Sequence, residues 1–179
     1  MASEREGLPM AERPMTFFRT DGAPDLVQDG IMSMPDIAPE VYTTYDLSGL
    51  MAGEDTTVLF KGDGPDGFSL VKARWGRGYR LPRHTHSADC LYYVLSGEIE
   101  MGSRTMTAGE GFFVKADAPY TYTAGPEGAE VLEFRSATRF DMKITDRTIE
   151  SWKPIVEAMQ ANQEHWAADK AALAASPSA

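Results

Sequence analysis

The chain has 179 residues, with 17 Lys and Arg against 27 Asp and Glu, and therefore a formal net charge of −10. This length corresponds to one domain, and the negative charge argues against binding to a nucleic-acid backbone or an anionic membrane surface. The single cysteine, Cys90, excludes an internal disulfide. The acidic N-terminus contains no apolar stretch, so we expect no signal peptide and a cytoplasmic protein.

Residues 1–39 are rich in Pro, Gly and Asp and follow no sustained hydrophobic period. This composition predicts an irregular N-terminal arm that is partly ordered by packing on the body of the protein. The arm belongs to an acidic N-terminal third, since residues 1–60 hold 11 acidic and 3 basic residues. Residues 61–140 hold ten of each, so the whole-chain charge does not oppose an anionic substrate in that part.

Residues 40–140 consist of short strand-like runs divided by turn residues. The runs are VYTTYDL, TTVLF, GFSLVKARW, YRLPRHTH, CLYYVL, EIEM, RTMT, GFFVK, YTYTA and AEVLEFRS, with separators such as Ser96-Gly97 and Gly125-Pro126. About ten short strands with close turns predict an all-β sandwich or barrel. No internal repeat and no GxGxxG sequence is present, so neither a duplicated domain nor a dinucleotide fold is indicated.

Residues 141–179 change to a helical period. Trp152, Ile155, Val156 and Met159 are spaced i, i+3, i+4 and i+7, which predicts a helix over about 151–175 that packs on the barrel. We expect Ser151 to be its N-cap and Pro154 to lie in its first turn. The Ala-rich tail to residue 179 is expected to fray.

His84 and His86 are two residues apart, so on a strand they project to the same face. Neutral imidazoles are common ligands of Zn, Fe, Ni, Cu and Mn. On the following run, alternation places Cys90 and Tyr92 on one face and Tyr93 on the other, and we expect Tyr93 and Phe113 to point outward. The pattern of two histidines followed by a thiol predicts half of a metal site or more.

The segment from Gly78 to Gly97 resembles the first motif of the cupin superfamily. In that motif Gly, five residues, HxH, three or four residues, Glu, six residues and Gly follow one another. Every spacing is kept here, with Cys90 in the place of Glu. The second cupin motif is recognisable from Gly109 but has decayed, and Tyr120 stands where the third metal-binding His is expected. The resemblance covers residues 56–137 and implies a single cupin jelly-roll barrel.

The resemblance implies a divalent metal ion (Fe, Zn, Mn or Ni) held by His84, His86 and Cys90, with Tyr120 or water as a fourth ligand. It also implies a catalytic role for Tyr92, because some cupin lyases carry a Tyr two residues beyond the Glu position. Tyr120, in the place of the third His, is the second residue expected to be catalytic. The residues expected to contact substrate are three arginines that lead into the motif and two aromatic side chains: Arg74, Arg80, Arg83, Trp75 and Tyr122.

Three functions follow from this resemblance. The first is a metal-dependent enzyme, a dioxygenase, lyase or isomerase, acting on a small oxo-acid, dicarbonyl or phenolic ketone. The second is a metal-free cupin that binds or isomerises a small molecule, and the third is a sensor or regulatory cupin in which Cys90 reports the redox or ligand state. By analogy with small cupins we also expect a homodimer, since a single barrel leaves edge strands that need cover.

Overall fold

The computed structural model describes residues 15–33, 35–64 and 66–175, so the expectations for residues 1–14 and for the end of the tail at 176–179 lie outside the described residues. The helices and strands follow in this order: α1 Leu26–Asp29, α2 Pro39–Thr44, a 3-10 helix Ser48–Ala52, β1 Glu54–Lys61, β2 Ser69–Trp75, β3 His84–Thr85, β4 Cys90–Met101, β5 Arg104–Thr107, β6 Gly111–Val114, β7 Thr123–Arg135, β8 Lys143–Ile144 and α3 Ile149–Ala175. None of the helices in these ranges combines the length and the apolar character needed to cross a membrane.

The strands form two antiparallel layers around one interior. The larger sheet has the order β1-β2-β7-β4-β5, and β6 also pairs with β4. The smaller layer consists of β3 paired with β8. The segment around Tyr120 extends this layer, because backbone hydrogen bonds join Leu81 to Tyr122 and His84 to Tyr120. Side chains of both layers meet in one buried cluster that includes Trp75, Tyr92 and Tyr122. The predicted all-β barrel with a C-terminal helix is confirmed.

Strict alternation decides which side chains enter the barrel. On β4, Cys90 and Tyr92 are buried, whereas Tyr93 is 47% exposed and Phe113 on the neighbouring β6 is 59% exposed. The predicted faces of β4 and the outward orientation of Tyr93 and Phe113 are therefore confirmed. Because successive residues of a strand point to opposite faces, the inward position of Cys90 carries Tyr92 inward with it.

The prediction of a strand over VYTTYDL is wrong, because the first four residues of this stretch belong to helix α2. Pro39 occupies the first turn, where its missing N–H needs no partner. The hydroxyl groups of Thr43 and Thr44 donate to the backbone carbonyl of Glu40, which is how β-branched Thr is accommodated in a helix.

Two predicted separators do not end a strand. Gly97, with a φ of 68°, lies inside β4, and the pairing register with β7 shifts on either side of it. CLYYVL and EIEM are therefore one strand with a bulge, and the Gly125-Pro126 separator lies inside β7 in the same way. The predicted strand YRLPRHTH is reduced to His84–Thr85, because Pro82 has no N–H to donate to a ladder.

Helix α3 closes one side of the barrel. The side chains of Val156, Met159 and Trp166 join the interior cluster, and the indole N–H of Trp166 donates to the carbonyl oxygen of Arg77 at 2.9 Å. The predicted helix is confirmed, but it begins at Ile149, so Ser151 and Pro154 lie inside it. The N–H of Ser151 donates to the hydroxyl of Thr148, which occupies the capping position predicted for Ser151.

Candidate functional site

Both predicted metal-binding histidines and both predicted catalytic tyrosines lie together inside the barrel. His84, His86, Tyr92 and Tyr120 are each at most 8% exposed. The ring of His84 has its centroid 4.8 Å from that of His86 and 4.4 Å from that of Tyr120. The bridge between His84 and Tyr120 in the smaller layer holds the latter pair side by side.

The hydrogen bonds of the two imidazoles identify their tautomers. Nδ1 of His84 lies 2.8 Å from the carbonyl oxygen of Pro82, and Nδ1 of His86 lies 2.5 Å from the carbonyl oxygen of Asp141. A carbonyl can accept but not donate, so Nδ1 carries the proton in both rings. Nε2 of each ring therefore carries the lone pair.

Burial keeps both imidazoles neutral at physiological pH. Burial lowers the pKa of His84 to about 4, with a smaller lowering by the Arg135 charge and an opposing effect of the hydrogen bond to Pro82. Burial and the nearby Arg135 guanidinium lower the pKa of His86 to about 2. A neutral imidazole in this tautomer can accept a proton or bind a metal through Nε2.

The hydroxyl groups of Tyr92 and Tyr120 are in direct contact, with 2.5 Å between the two oxygens. The ring of Tyr92 stacks on Phe112 with 4.5 Å between centroids, which fixes its plane. Burial raises the pKa of Tyr92 well above its usual value, and it raises the pKa of Tyr120 as well. Both phenols are therefore protonated at neutral pH, and they are suited to donate a hydrogen bond or a proton rather than to start as bases.

The Cys90 thiol lies on the inner face of β4 at 2% exposure. Its sulfur is 3.8 Å from the backbone carbonyl of Leu91. Burial raises the pKa of this thiol to about 12, so it is a neutral thiol in its present surroundings. A metal binds the thiolate, so Cys90 would have to release its proton on becoming a ligand.

Sequence reasoning missed a buried ion pair at the same place. Glu133 and Arg135 on β7 are 5% and 2% exposed, and Nη2 of Arg135 lies 2.6 Å from Oε2 of Glu133. The same nitrogen donates to the hydroxyl of Tyr92 at 3.0 Å and lies 3.5 Å from Nε2 of His86. The signal was present in the run AEVLEFRS, because alternation from the apolar Val131 places positions 133 and 135 on the inner face.

The predicted ligand set fits a divalent metal poorly in this arrangement. Among the residues that the structure describes, no three His, Cys, Asp or Glu side chains are grouped so that they could hold a metal ion. The guanidinium of Arg135 already lies beside Nε2 of His86. A divalent ion about 4 Å from that charge would be repelled by roughly 8 kcal/mol at an effective dielectric constant of 20, before Glu133 compensates part of it. The metal therefore stays a prediction.

The predicted substrate-binding residues are divided between the interior and the surface. Trp75 and Tyr122 are 6% and 2% exposed and belong to the interior cluster, with their rings 6.1 Å apart. Arg80 and Arg83 are exposed, and Arg74 lies on the outer face of β2, where it lines a surface cleft. The structure thus brings the two aromatic residues to the site and leaves the three arginines outside it.

Comparisons with known proteins concern the fold. No family model and no curated protein matches the chain. Similar solved structures include an RmlC-like cupin from Shewanella frigidimarina, at 22% identity and a TM-score of 0.42 over 50% of this chain and 78% of that one. Another is KdgF from Halomonas sp., at 21% identity and a TM-score of 0.41 over 51% and 84% of the two chains. A third is the polyketide cyclase RemF from Streptomyces resistomycificus, at 18% identity and a TM-score of 0.48 over 64% and 83%.

The strands form an antiparallel β-barrel, and the motif residues His84, His86 and Tyr92 lie in its interior. The segment from Gly78 to Gly97 keeps the spacing by which it resembles the first cupin motif, with Cys90 in the place of Glu. At these identities and TM-scores, no site residue or activity is carried over from the similar structures.

Proposed function

We propose that the barrel interior is the active site of an enzyme that moves a proton within a small oxygenated organic molecule, as an isomerase or a lyase does. One observation carries this proposal: the hydroxyls of Tyr92 and Tyr120 are in direct contact, and the ring of Tyr120 lies 4.4 Å from the neutral imidazole of His84. Protonated phenols and an imidazole lone pair are a proton donor and a proton acceptor in one buried cluster. The isomerase corresponds to the metal-free alternative that the sequence predicts, whereas the sequence predicts a lyase with a metal ion.

The chemistry needs a carbonyl group that faces the phenols. A phenolic hydroxyl donates to the carbonyl oxygen while Nε2 of His84 takes a proton from the adjacent carbon. The electron pair of the broken C–H bond then forms the carbon–carbon double bond of an enol. In an isomerisation, the imidazolium returns its proton to another carbon of a conjugated enol while the enol hydroxyl returns its proton to the phenolate and the carbonyl re-forms. In an elimination, the enol hydroxyl also returns its proton to the phenolate, the carbonyl re-forms, and a group on the next carbon leaves with the proton of the imidazolium. Small oxo-acids, β-dicarbonyls and phenolic ketones all offer such a carbonyl.

Burial of the cluster supports this chemistry. The hydroxyl of Tyr92 and the imidazole of His84 belong to side chains that are 2% and 1% exposed. In surroundings of low dielectric constant, a fixed donor interacts more strongly with developing charge on a substrate oxygen than it would in water. The stacked Phe112 and the bridge from His84 to Tyr120 hold these groups in place.

A second candidate is the metalloenzyme with His84, His86 and Cys90 as ligands. One observation favours it: each Nδ1 donates to a backbone carbonyl, and this is a bond by which proteins commonly orient a metal-binding His. The position of the Arg135 guanidinium beside His86 argues against it.

The test of the proposed function is a turnover screen with variant enzymes. A panel of oxo-acids, β-dicarbonyls and phenolic ketones is followed by NMR for exchange of the α-proton and for product. We expect Tyr92→Phe to lower kcat by about 100-fold or more, which is the contribution of a general acid. Tyr93→Phe is the matched control, because Tyr93 lies on the same strand with an exposed side chain. Full activity of Tyr92→Phe, or no turnover of any compound, would contradict the proposal.

Metal analysis separates the two candidates. Protein purified without chelator is measured for bound metal beside His84→Ala and Cys90→Ala. We expect no stoichiometric metal and no loss of turnover in EDTA. Near-stoichiometric metal that disappears in both variants would favour the second candidate instead.

A further inference from the structure

Arg135 places a permanent positive charge inside the barrel. It is the last residue of β7, and its cross-strand neighbours are Cys90 on β4 and Ser69 on β2. The side chain is 2% exposed, and its carbon Cζ lies 4.3 Å from the centroid of the Phe140 ring. The Phe140 ring covers one face of the guanidinium, and its N–H groups lie in its plane, so further hydrogen bonds form at its edges.

The hydrogen bonds of Arg135 involve one of its three side-chain nitrogens. Nη2 donates to Glu133 at 2.6 Å and to Tyr92 at 3.0 Å. Nε and Nη1 are buried and have no hydrogen-bond partner among the described residues. These two nitrogens carry three N–H groups between them. Buried donors are nearly always paired in native structures, so unpaired ones on a charged group indicate a missing acceptor.

Other unpaired polar atoms lie in the same interior. The hydroxyl of Tyr122 and the indole N–H of Trp75 are buried without a hydrogen-bond partner in the described part of the chain. The ring of Tyr122 lies 6.2 Å from that of Tyr92, which itself contacts Arg135. The interior thus offers unpaired donors next to the proposed proton-transfer groups.

We propose that Arg135 binds the carboxylate of the substrate, so that the site takes a small oxo-acid whose keto group faces Tyr92 and Tyr120. The carboxylate accepts a hydrogen bond from an unpaired N–H of Nη1 or Nε, a charge-assisted bond for which arginine is well suited. The guanidinium then supplies the positive charge that the predicted metal ion would have supplied. This inference rests on the proposed function, because it names the substrate class of the same site.

The test compares an oxo-acid with its uncharged amide. Pyruvate and pyruvamide have the same shape and differ in charge, and phenylpyruvate with its amide repeats the comparison for a larger ligand. Binding is followed by tryptophan fluorescence, since Trp75 lines the interior. We expect the acid of at least one pair to bind about tenfold more tightly than its amide, equivalent to one charge-assisted hydrogen bond.

Three variants assign this preference to Arg135. Arg135→Gln should reduce the preference for the acid to less than about twofold, and Arg135→Lys should keep part of it, since the charge remains without the fork. Glu133→Gln removes the countercharge and should raise the affinity for the acid about tenfold further, an increase that a purely structural residue would not cause. Arg139→Gln is the matched control, because Arg139 is exposed on the chain just after β7.

The outcomes are distinct from those for the proposed function. Equal binding of acid and amide, no binding of either pair, or a preference that survives in Arg135→Gln would overturn the inference. Should Arg135→Gln fail to fold, Arg135→Lys decides, because it keeps the charge that pairs with Glu133, and a preference unchanged from that of the parent in this variant overturns the inference. Binding of the acid through Arg135 with no turnover of any compound would sink the proposed function alone.

Discussion

The buried ion pair between Glu133 and Arg135 gives the sharpest stability prediction. Nη2 of Arg135 lies 2.6 Å from Oε2 of Glu133, and both side chains are buried. At an effective dielectric constant of 20, unit charges at this distance attract by about 6 kcal/mol. Each charge also lost its hydration on burial, so removing one partner leaves the other without compensation, which typically costs about 3–5 kcal/mol.

A double-mutant cycle measures this coupling. Glu133→Gln and Arg135→Met should each lower the free energy of unfolding by about 3–5 kcal/mol, whereas the double variant should lose little more than either alone, because no uncompensated charge remains. The assay is urea unfolding at neutral pH. The exposed pair of Lys153 and Glu157, at 3.8 Å, is the control cycle and should show little coupling. Additive losses at Glu133 and Arg135 would refute the reasoning.

Three further predictions concern other parts of the chain. Burial raises the pKa of Glu54, so the native state binds its proton more tightly than the unfolded state does. The free energy of unfolding therefore falls as the pH rises through the native pKa. When urea unfolding is measured between about pH 4 and pH 8, Glu54→Gln should lose less stability with rising pH than the parent. Gly97→Ala should lower the free energy of unfolding by more than about 3 kcal/mol, because the added Cβ would lie 2.0 Å from the carbonyl oxygen of Gly128. Gly102→Ala is the control, because Gly102 also has a positive φ but has open space around it, and it should lose about 1–2 kcal/mol. Equal losses of the two variants in thermal unfolding would contradict this prediction. The homodimer stays a prediction, and if it forms through the exposed outer face of β6, Phe113→Glu should yield monomer in analytical ultracentrifugation while the parent sediments as a dimer.

Much of the barrel can be predicted from the period of the sequence. Alternation along CLYYVL is enough to place Cys90 and Tyr92 inside and Tyr93 outside, since a strand can bury just one of its faces here. The spacing of His84 and His86 locates the polar interior for the same reason. The helical period of residues 151–175 identifies α3. These features are local, so the pattern of neighbouring residues is sufficient to predict them.

Contacts between distant parts of the chain determine which turn-like segments end a strand and which charged side chains contact one another. Gly97 looks like a turn in the sequence, but pairing with β7 makes it a bulge within β4. VYTTYDL has strand-forming residues, but its first part is held in helix α2, where no neighbouring strand pairs with it. Pairing partners are distant in sequence, so local propensity could not decide either case.

The site shows the same division most clearly. The sequence alone predicts that two histidines and a tyrosine face one interior, but it indicates arginines at the wrong end of the motif. Arg135 is 49 residues beyond His86 in the sequence. The pairing of β7 with β4 brings Nη2 of Arg135 to 3.5 Å from Nε2 of His86. Period 2 fixes the face of each side chain within a strand, while the register between strands fixes which buried charges meet. The barrel therefore follows from the sequence pattern, and the guanidinium at its centre follows from the fold.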